Sequence, residues 1–254
     1  MVQLFHGLVI AHIVTGTVGL ITLWVPIVGR KGSVNHKLWG KVFAWSLLLT
    51  GGFAVGISLC TLAAPLETHP FWDDAALVRG VFGWMMLYLA VMTINLSRYG
   101  RLCVQNRGNH AGNRTPGNLF WQAATFLTAF NCAAQGWSLN QPLLIGMAIV
   151  GLAAGVLNTR FILRENPPMN EWLVQHSRGL VGAGISVYTA FLAFGAVNYV
   201  PALAFSPAVW ATPCTLGVIY LIYHQARIML ARRRVAARKA RGATAVGDTA
   251  TAAR

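Results

Sequence analysis

Three histidines lie where apolar segments of the chain end near basic residues, and their side chains could bind a cofactor. They are His36, His176 and His224. A neutral imidazole offers one nitrogen to a metal, so three could hold a transition-metal ion and two could hold a haem iron. Histidines at a membrane boundary can also simply meet water and phosphate headgroups. Both interpretations stay open, because one sequence does not show which helices touch.

A fourth candidate ligand, His12, lies inside the first apolar segment. It is about 12 Å from the start of a helix that begins near residue 4. An imidazole in hydrocarbon needs a polar partner, because an unsatisfied polar group there is costly. Three roles are open: an interhelical hydrogen bond, a haem or metal ligand, and a contact with a substrate. The first is favoured, since polar side chains often join membrane helices.

Polar side chains near the same ends of other apolar segments could complete a shared pocket. Candidates for substrate binding are Arg178, Asn158 and Tyr220. Tyr220 shares one stripe of its predicted helix with His224 and Arg227, by their i, i+4, i+7 spacing. Two further polar residues at these ends are Asn95 and Gln122. We therefore expect an inner-facing polar pocket if these helix ends converge.

The sequence lacks residues and motifs that several known classes of membrane protein and hydrolase require. The 6 Asp and Glu residues lie in predicted loops or in the C-terminal tail. Proton-coupled transporters and carboxylate metal channels commonly place an acid at mid-membrane, so both classes lose support. The last apolar segment has no lysine for a retinal Schiff base, and the P-loop, G-x-S-x-G and H-E-x-x-H motifs are absent. No catalytic residue is predicted, and enzymatic activity stays open.

The composition indicates what must position these residues. Hydrophobic residues make up 56% of the 254 residues and charged residues only 10%, against roughly 25% charged in a soluble domain. So much apolar surface needs lipid to cover part of it. The long continuous apolar runs are typical of helices and lack the alternation of a membrane β-barrel. The predicted fold is an all-α integral membrane helical bundle.

Seven apolar runs are long enough to cross a bilayer as helices. They lie at about 4–28, 42–64, 77–98, 117–138, 142–160, 173–197 and 208–230. We expect residues 1–231 to form a single transmembrane helical domain. Residues 232–254 are predicted to be a basic, disordered cytoplasmic tail.

Loop charges predict the orientation of the bundle. Segments 29–41 and 98–116 each carry four Lys or Arg and no acid, whereas segment 65–76 carries three acids and no base. Positive loops stay in the cytoplasm. The N-terminus is therefore predicted outside and the C-terminus in the cytoplasm, in a bacterial inner membrane. The net charge of +14 fits this topology and anionic lipid headgroups as partners better than it fits nucleic acid.

The stretch from His12 to Lys41 combines several of these features in one motif. It reads H-I-V-T-G-T-V-G-L, then R-K-G-S-V-N-H-K-L-W-G-K-V-F. This resembles the bacterial family of predicted membrane proteins called domain of unknown function 2306. Those proteins typically have a first-span His followed by Gly, a short R/K-K-G loop, and H-R-x-x-G-R entering the second span. The matching positions here are His12, Gly16, Arg30, Lys31, Gly32, His36, Lys37, Gly40 and Lys41, and the lysines at 37 and 41 replace the common arginines.

A later stretch is similar to the same family. His176 is followed by Tyr188, Thr189, Ala190 and Phe191, like the family's H…Y-x-A-x-x-A-F region. The resemblance implies a multi-span membrane fold and no established activity. It singles out His12, His36 and His176 as the first histidines to test.

Three classes of function remain open from the sequence. The first is a redox or redox-associated membrane protein that binds haem or a transition metal through histidines. The second is a transporter or channel for a small solute, and the third is a non-catalytic membrane assembly component. Bound cofactor, solute flux and a co-purifying partner would respectively distinguish them.

Overall fold

The computed structural model describes residues 1–195 and 207–252, and every regular element within them is helical. The α-helices in chain order are α1 (Val2–Thr22), α2 (Trp24–Val28), α3 (Val34–Ala63), α4 (Pro65–Thr68), α5 (Ala75–Val78), α6 (Met86–Gln105), α7 (Pro116–Ser138), α8 (Pro142–Leu163), α9 (Glu171–Ala190) and α10 (Pro207–Ala252). Shorter elements are the π-helical segments Arg79–Met85 and Phe191–Gly195 and the 3₁₀ turn His110–Asn113. The described residues therefore confirm the all-α class.

Two compact units make up the chain, Met1–Cys214 and Thr215–Arg254. In the first unit, α6 is the central helix and packs against α3, α7 and α9. The pairs α1–α3 and α7–α8 are also in close contact. Apolar side chains of α6, such as Tyr88 and Met92, form the core with Leu47 of α3. The helices flanking α6 thus bring distant parts of the sequence together around it.

Within residues 1–195 and 207–252, five helices are long and apolar enough to cross a membrane. They are Val2–Val28, Val34–Ala63, Ala75–Gln105, Pro142–Leu163 and Ala211–Ala231. Most of their large apolar side chains outside the core are exposed in the isolated chain, such as Ile10 and Ile21 of α1. A bilayer would cover such surface at no desolvation cost. These helices are compatible with a protein embedded in a membrane.

The remaining two predicted spans correspond to α7 and α9. They are 23 and 20 residues long, so both are long enough, but they are more polar than the other five. The reason lies in their inward faces: α7 buries Asn118 and Gln122, and α9 buries Gln175 and Ser186. Residues 196–197, the end of the span predicted at 173–197, lie outside the described residues.

The last helix extends beyond the last predicted span. The compact units divide after Cys214, and α10 continues to Ala252. The single domain over residues 1–231 and the disordered tail over residues 232–254 stay predictions. Alanine and arginine, which dominate this tail, have high helix propensity. Local propensity therefore extends the helix past the last apolar residues. Pro213 is inside α10, beyond the first turn in which a helix tolerates proline.

Candidate functional site

Three connections lie at one end of the first unit, called the basic end below: residues 29–33, 106–115 and 164–170. The side chain of Arg114 links two of them. Its Nε donates to the carbonyl oxygen of Ile162 at 3.2 Å, and its Nη2 donates to that of Arg164 at 2.9 Å. These are carbonyls that the last turn of α8 leaves without helical partners. The guanidinium thereby caps α8 and fixes this end of the bundle.

His36 is positioned by the turn between α2 and α3. Gly32 adopts a φ of +79°, a conformation that strongly favours glycine, and this turns the chain. Ser33 then caps α3, since its Oγ accepts from the backbone N–H of His36 at 3.2 Å. The His36 Nδ1 lies 3.2 Å from the carbonyl oxygen of Pro26. The Ser33 cap thus fixes the backbone of His36, and the Pro26 carbonyl of α2 holds its imidazole.

His176 is positioned by a close approach of α6 and α9. A Cβ on Gly179 would lie 2.8 Å from both the Cα and the N of Gly100, so neither helix could come so near with a larger residue there. This approach brings the His176 Nδ1 to 2.9 Å from the carbonyl oxygen of Gly100. The glycine pair therefore determines where this imidazole lies.

The two imidazoles meet at the basic end. The ring centroids of His36 and His176 are 6.5 Å apart, with an angle of 70° between the ring planes. A carbonyl oxygen can only accept a hydrogen bond, so each Nδ1 that contacts one must carry the proton. In the neutral tautomer, each Nε2 then holds the free lone pair. This is the arrangement that orients histidine ligands in metal centres.

A lysine lies beside the pair. Lys31 Nζ donates to the carbonyl oxygens of Pro26 and Ile27, so Lys31 and His36 share the Pro26 acceptor. Partial burial lowers the pKa of the Lys31 ammonium from its usual range. The site therefore has a partly buried lysine next to two imidazoles.

Arg178 joins a polar network next to His176. Its Nη1 donates to Gln175 Oε1 at 3.3 Å, and the same oxygen accepts from the Tyr99 hydroxyl at 2.8 Å. Gln175 Nε2 donates in turn to Glu171 at 3.3 Å, which forms an ion pair with Arg164 at 3.2 Å. Arg178, predicted as a substrate contact, is thus tied to α9 and α6.

His12 lies elsewhere. Its Nδ1 is 3.0 Å from the carbonyl oxygen of Thr50 on α3, and Thr50 Oγ1 donates to Thr15 Oγ1 at 3.0 Å. Thr50 is 14 residues along α3 from His36, about 21 Å at a rise of 1.5 Å per residue. His12 therefore makes the interhelical hydrogen bond favoured from the sequence, and the structure does not bring it to the histidine pair.

A separate buried polar cluster joins α6 and α7. Asn95 and Gln122 exchange hydrogen bonds, Nδ2 to Oε1 at 3.1 Å and Nε2 to Oδ1 at 2.8 Å, and Asn95 Nδ2 also donates to Thr125 at 2.9 Å. Asn158 of α8 is buried and its Nδ2 has no hydrogen-bond partner among the described residues. Two of the polar residues expected to converge therefore do so, as a link between helices.

His224 and Tyr220 belong to the second unit. Their ring centroids are 4.4 Å apart, as the predicted stripe on one helix requires. Arg227, the third member of that stripe, instead donates to the Tyr223 hydroxyl at 3.4 Å. Within Thr215–Arg254 these residues form an aromatic and basic surface of α10.

The donor set determines which cofactor the histidine pair fits. The described residues contain no group of three or more His, Cys, Asp or Glu that could hold a metal ion. Two imidazoles are the protein ligands that a haem would need, because the porphyrin would supply the other donors to its iron. The ring centroids of His36 and His176, 6.5 Å apart, are close enough for both imidazoles to belong to one site.

The surface of α3 beside His36 is open. Gly40 follows His36 by one turn of α3 on the same face, and a Cβ built on Gly40 would meet nothing within 4 Å. The residues present therefore fit a haem better than a bare metal ion. The sequence did not single out Gly100 and Gly179, which bring α6 and α9 together. The one feature that could have indicated them is that both residues are small.

No family model matches the chain, and neither a curated protein nor a solved structure matches it. The resemblance to the family called domain of unknown function 2306 therefore stays a prediction.

Proposed function

We propose that the protein is a redox or redox-associated membrane protein that binds a haem through His36 and His176. The observation that carries the proposal is the pair of imidazoles at 6.5 Å, each held by a hydrogen bond from Nδ1 to a backbone carbonyl. Both Nε2 atoms are then available as ligands. A haem held by two histidines cycles between ferric and ferrous iron, so the chemistry is one-electron transfer.

Electrostatics at the basic end support a haem over a free dication. The Lys31 ammonium lies beside His36 through their shared acceptor, and it would repel a small cation. The same charge favours the propionate carboxylates that a haem carries. The apolar edge of a porphyrin would pack against apolar helix surfaces, whereas a bare metal ion would need further polar ligands.

The proposed topology has seven membrane spans, with α7 and α9 added to the five most apolar helices. Their lengths of 23 and 20 residues correspond to about 30 Å or more of helix, the thickness of the hydrocarbon core. The loop charges support an N-terminus outside and a C-terminus in the cytoplasm, in a bacterial inner membrane. The histidine pair would then face the cytoplasm, within reach of a soluble electron donor or acceptor.

The test is the absorption spectrum of the full-length protein, expressed with added haem precursor and purified in a mild detergent. We expect a Soret band that shifts and sharpened visible bands after dithionite reduction, with about one haem per chain by pyridine haemochrome assay. Alanine at His36 or His176 should abolish or halve the bound haem. His6→Ala is the matched control, since His6 is exposed on α1, and it should retain full occupancy.

Two outcomes would overturn the proposal. One is a featureless spectrum in a folded preparation, and the other is haem content that neither the His36 nor the His176 variant changes. Metal analysis of the same preparation separates the remaining possibilities: a metal lost in both variants would indicate a metal-only centre. Solute flux into proteoliposomes without either cofactor would favour the transporter class instead.

A further inference from the structure

A stripe of cations, an indole and an apolar side chain runs along the lipid-facing side of α3. Lys37, Lys41, Trp45 and Leu49 follow one another at four-residue spacing and therefore lie on one face of the helix. All four are exposed in the isolated chain, Trp45 by 54% and Leu49 by 52%. Each step advances about 6 Å along the axis.

Arg101 of α6 completes the stripe. Its guanidinium carbon lies 4.4 Å from the centroid of the Trp45 ring, a distance at which a cation is attracted to an indole face. This contact places the guanidinium over the Trp45 indole, and Trp45 lies one turn from Lys41 along α3. A planar guanidinium in a fixed position offers parallel N–H donors to a phosphate.

None of these three cations is neutralised by the protein. Within the described part of the chain, the ion pair found joins Arg164 to Glu171. Lys37, Lys41 and Arg101 therefore present three uncompensated positive charges beside one another. Such a group attracts an anion from outside the protein.

We propose that this surface is a specific binding site for one anionic phospholipid. The order of side chains along α3 matches a lipid molecule: two lysines and the arginine for the phosphate, the indole for the glycerol level, and Leu49 for the acyl chain. Gly52 follows Leu49 on α3, is exposed, and would place no Cβ near any neighbour, so the helix surface there is low enough for an acyl chain. The proposal is independent of whether a haem is bound.

The experiment titrates the full-length protein in a neutral detergent with phosphatidylglycerol and with phosphatidylcholine, and counts bound lipid by native mass spectrometry. We expect phosphatidylglycerol to bind more tightly, with one molecule retained at the lowest lipid ratios. Lys41→Gln and Arg101→Gln should each weaken this binding about fivefold. Arg107→Gln is the control, because it removes one exposed charge from the same end and should change the affinity by less than twofold.

Three results would overturn the proposal. Equal affinity for the two lipids would show that the cations do not select the headgroup. An equal loss in all three variants would show diffuse attraction to the basic end and no defined site. Tight binding of glycerol 3-phosphate alone, without acyl chains, would assign the surface to a soluble phosphate compound. Lys41 is exposed, so Lys41→Gln keeps the test valid if Arg101→Gln does not fold.

Discussion

The indole Nε1 of Trp24 donates to the hydroxyl oxygen of Tyr188 at 2.6 Å, and that hydroxyl donates to the carbonyl oxygen of Leu20 at 2.8 Å. This contact joins the break between α1 and α2 to α9. α2 carries the Pro26 carbonyl that holds His36, and α9 carries His176. The Trp24–Tyr188 contact therefore links the supports of the two histidines, in addition to the contact between their rings. The Tyr188 hydroxyl is therefore a structural determinant of the site.

We expect Tyr188→Phe to destabilise the protein. It leaves both the Trp24 N–H and the Leu20 carbonyl without this partner, at a cost of about 1–2 kcal/mol. Thermal unfolding in detergent should shift down by about 2–8 °C. Tyr223→Phe, which alters a tyrosine of α10, is the control and should shift less. An unchanged transition for Tyr188→Phe would show that the hydroxyl is dispensable.

Gly179→Ala should separate α6 from α9. The added Cβ would lie 2.8 Å from the Gly100 backbone, and backbone cannot move aside as a flexible side chain can. We expect a loss of about 1–3 kcal/mol, together with loss of any haem bound at His176. Gly182→Ala on the same helix meets its nearest atom, in Leu96, at 3.4 Å and should be nearly neutral. Similar stability of the two variants would contradict the close approach.

The reciprocal amides of Asn95 and Gln122 allow a double-mutant cycle. Gln122→Leu alone leaves the buried Asn95 Oδ1 without its partner, whereas Asn95 Nδ2 keeps its hydrogen bond to Thr125. This change should cost about 1–3 kcal/mol. The double variant Asn95→Leu, Gln122→Leu removes both sets of polar atoms, so it should be more stable than the sum of the single effects predicts. Chemical or thermal unfolding of the four proteins measures the coupling. Additive effects would show that the pair does not interact.

His69 provides a pH dependence outside the apolar helices. Its ring is stacked on Phe82, with centroids 4.5 Å apart, and burial lowers the pKa of the imidazole from 6.5. The folded state therefore prefers the neutral form, so this stabilisation is complete above pH 6.5 and is lost as the pH falls through the lowered value. Thermal unfolding at pH 7.5 and pH 5 should show a decrease.

The His69→Asn variant isolates that contribution. It removes the titrating group, so its decrease in unfolding temperature between the two pH values should be smaller than that of the unaltered protein. Contributions of the other ionisable groups are common to both proteins and cancel in the difference between them. If both proteins lose the same stability, the buried imidazole of His69 is not responsible.

Local features of the site could be read from the sequence alone. The apolar runs indicate helices, because they are long and continuous and lack the alternation of a membrane β-barrel, which is the other way to satisfy the backbone in lipid. The Ser33 cap and the glycine turn at Gly32 belong to the nearest-neighbour sequence, and they place His36 at the start of α3. The i, i+4 spacing of Tyr220 and His224 likewise predicted that their side chains lie side by side on one helix.

Only the tertiary structure decided which of these residues meet. His36 and His176 are 140 positions apart in the chain, and their contact depends on α3 and α9 approaching at the basic end. His12 has the same residue type and a similar carbonyl partner, yet it lies about four turns of helix away from the pair. The physical reason is that helix adjacency follows from side-chain packing, above all from the missing Cβ atoms at Gly100 and Gly179, and such packing has no signal in the local pattern of residues.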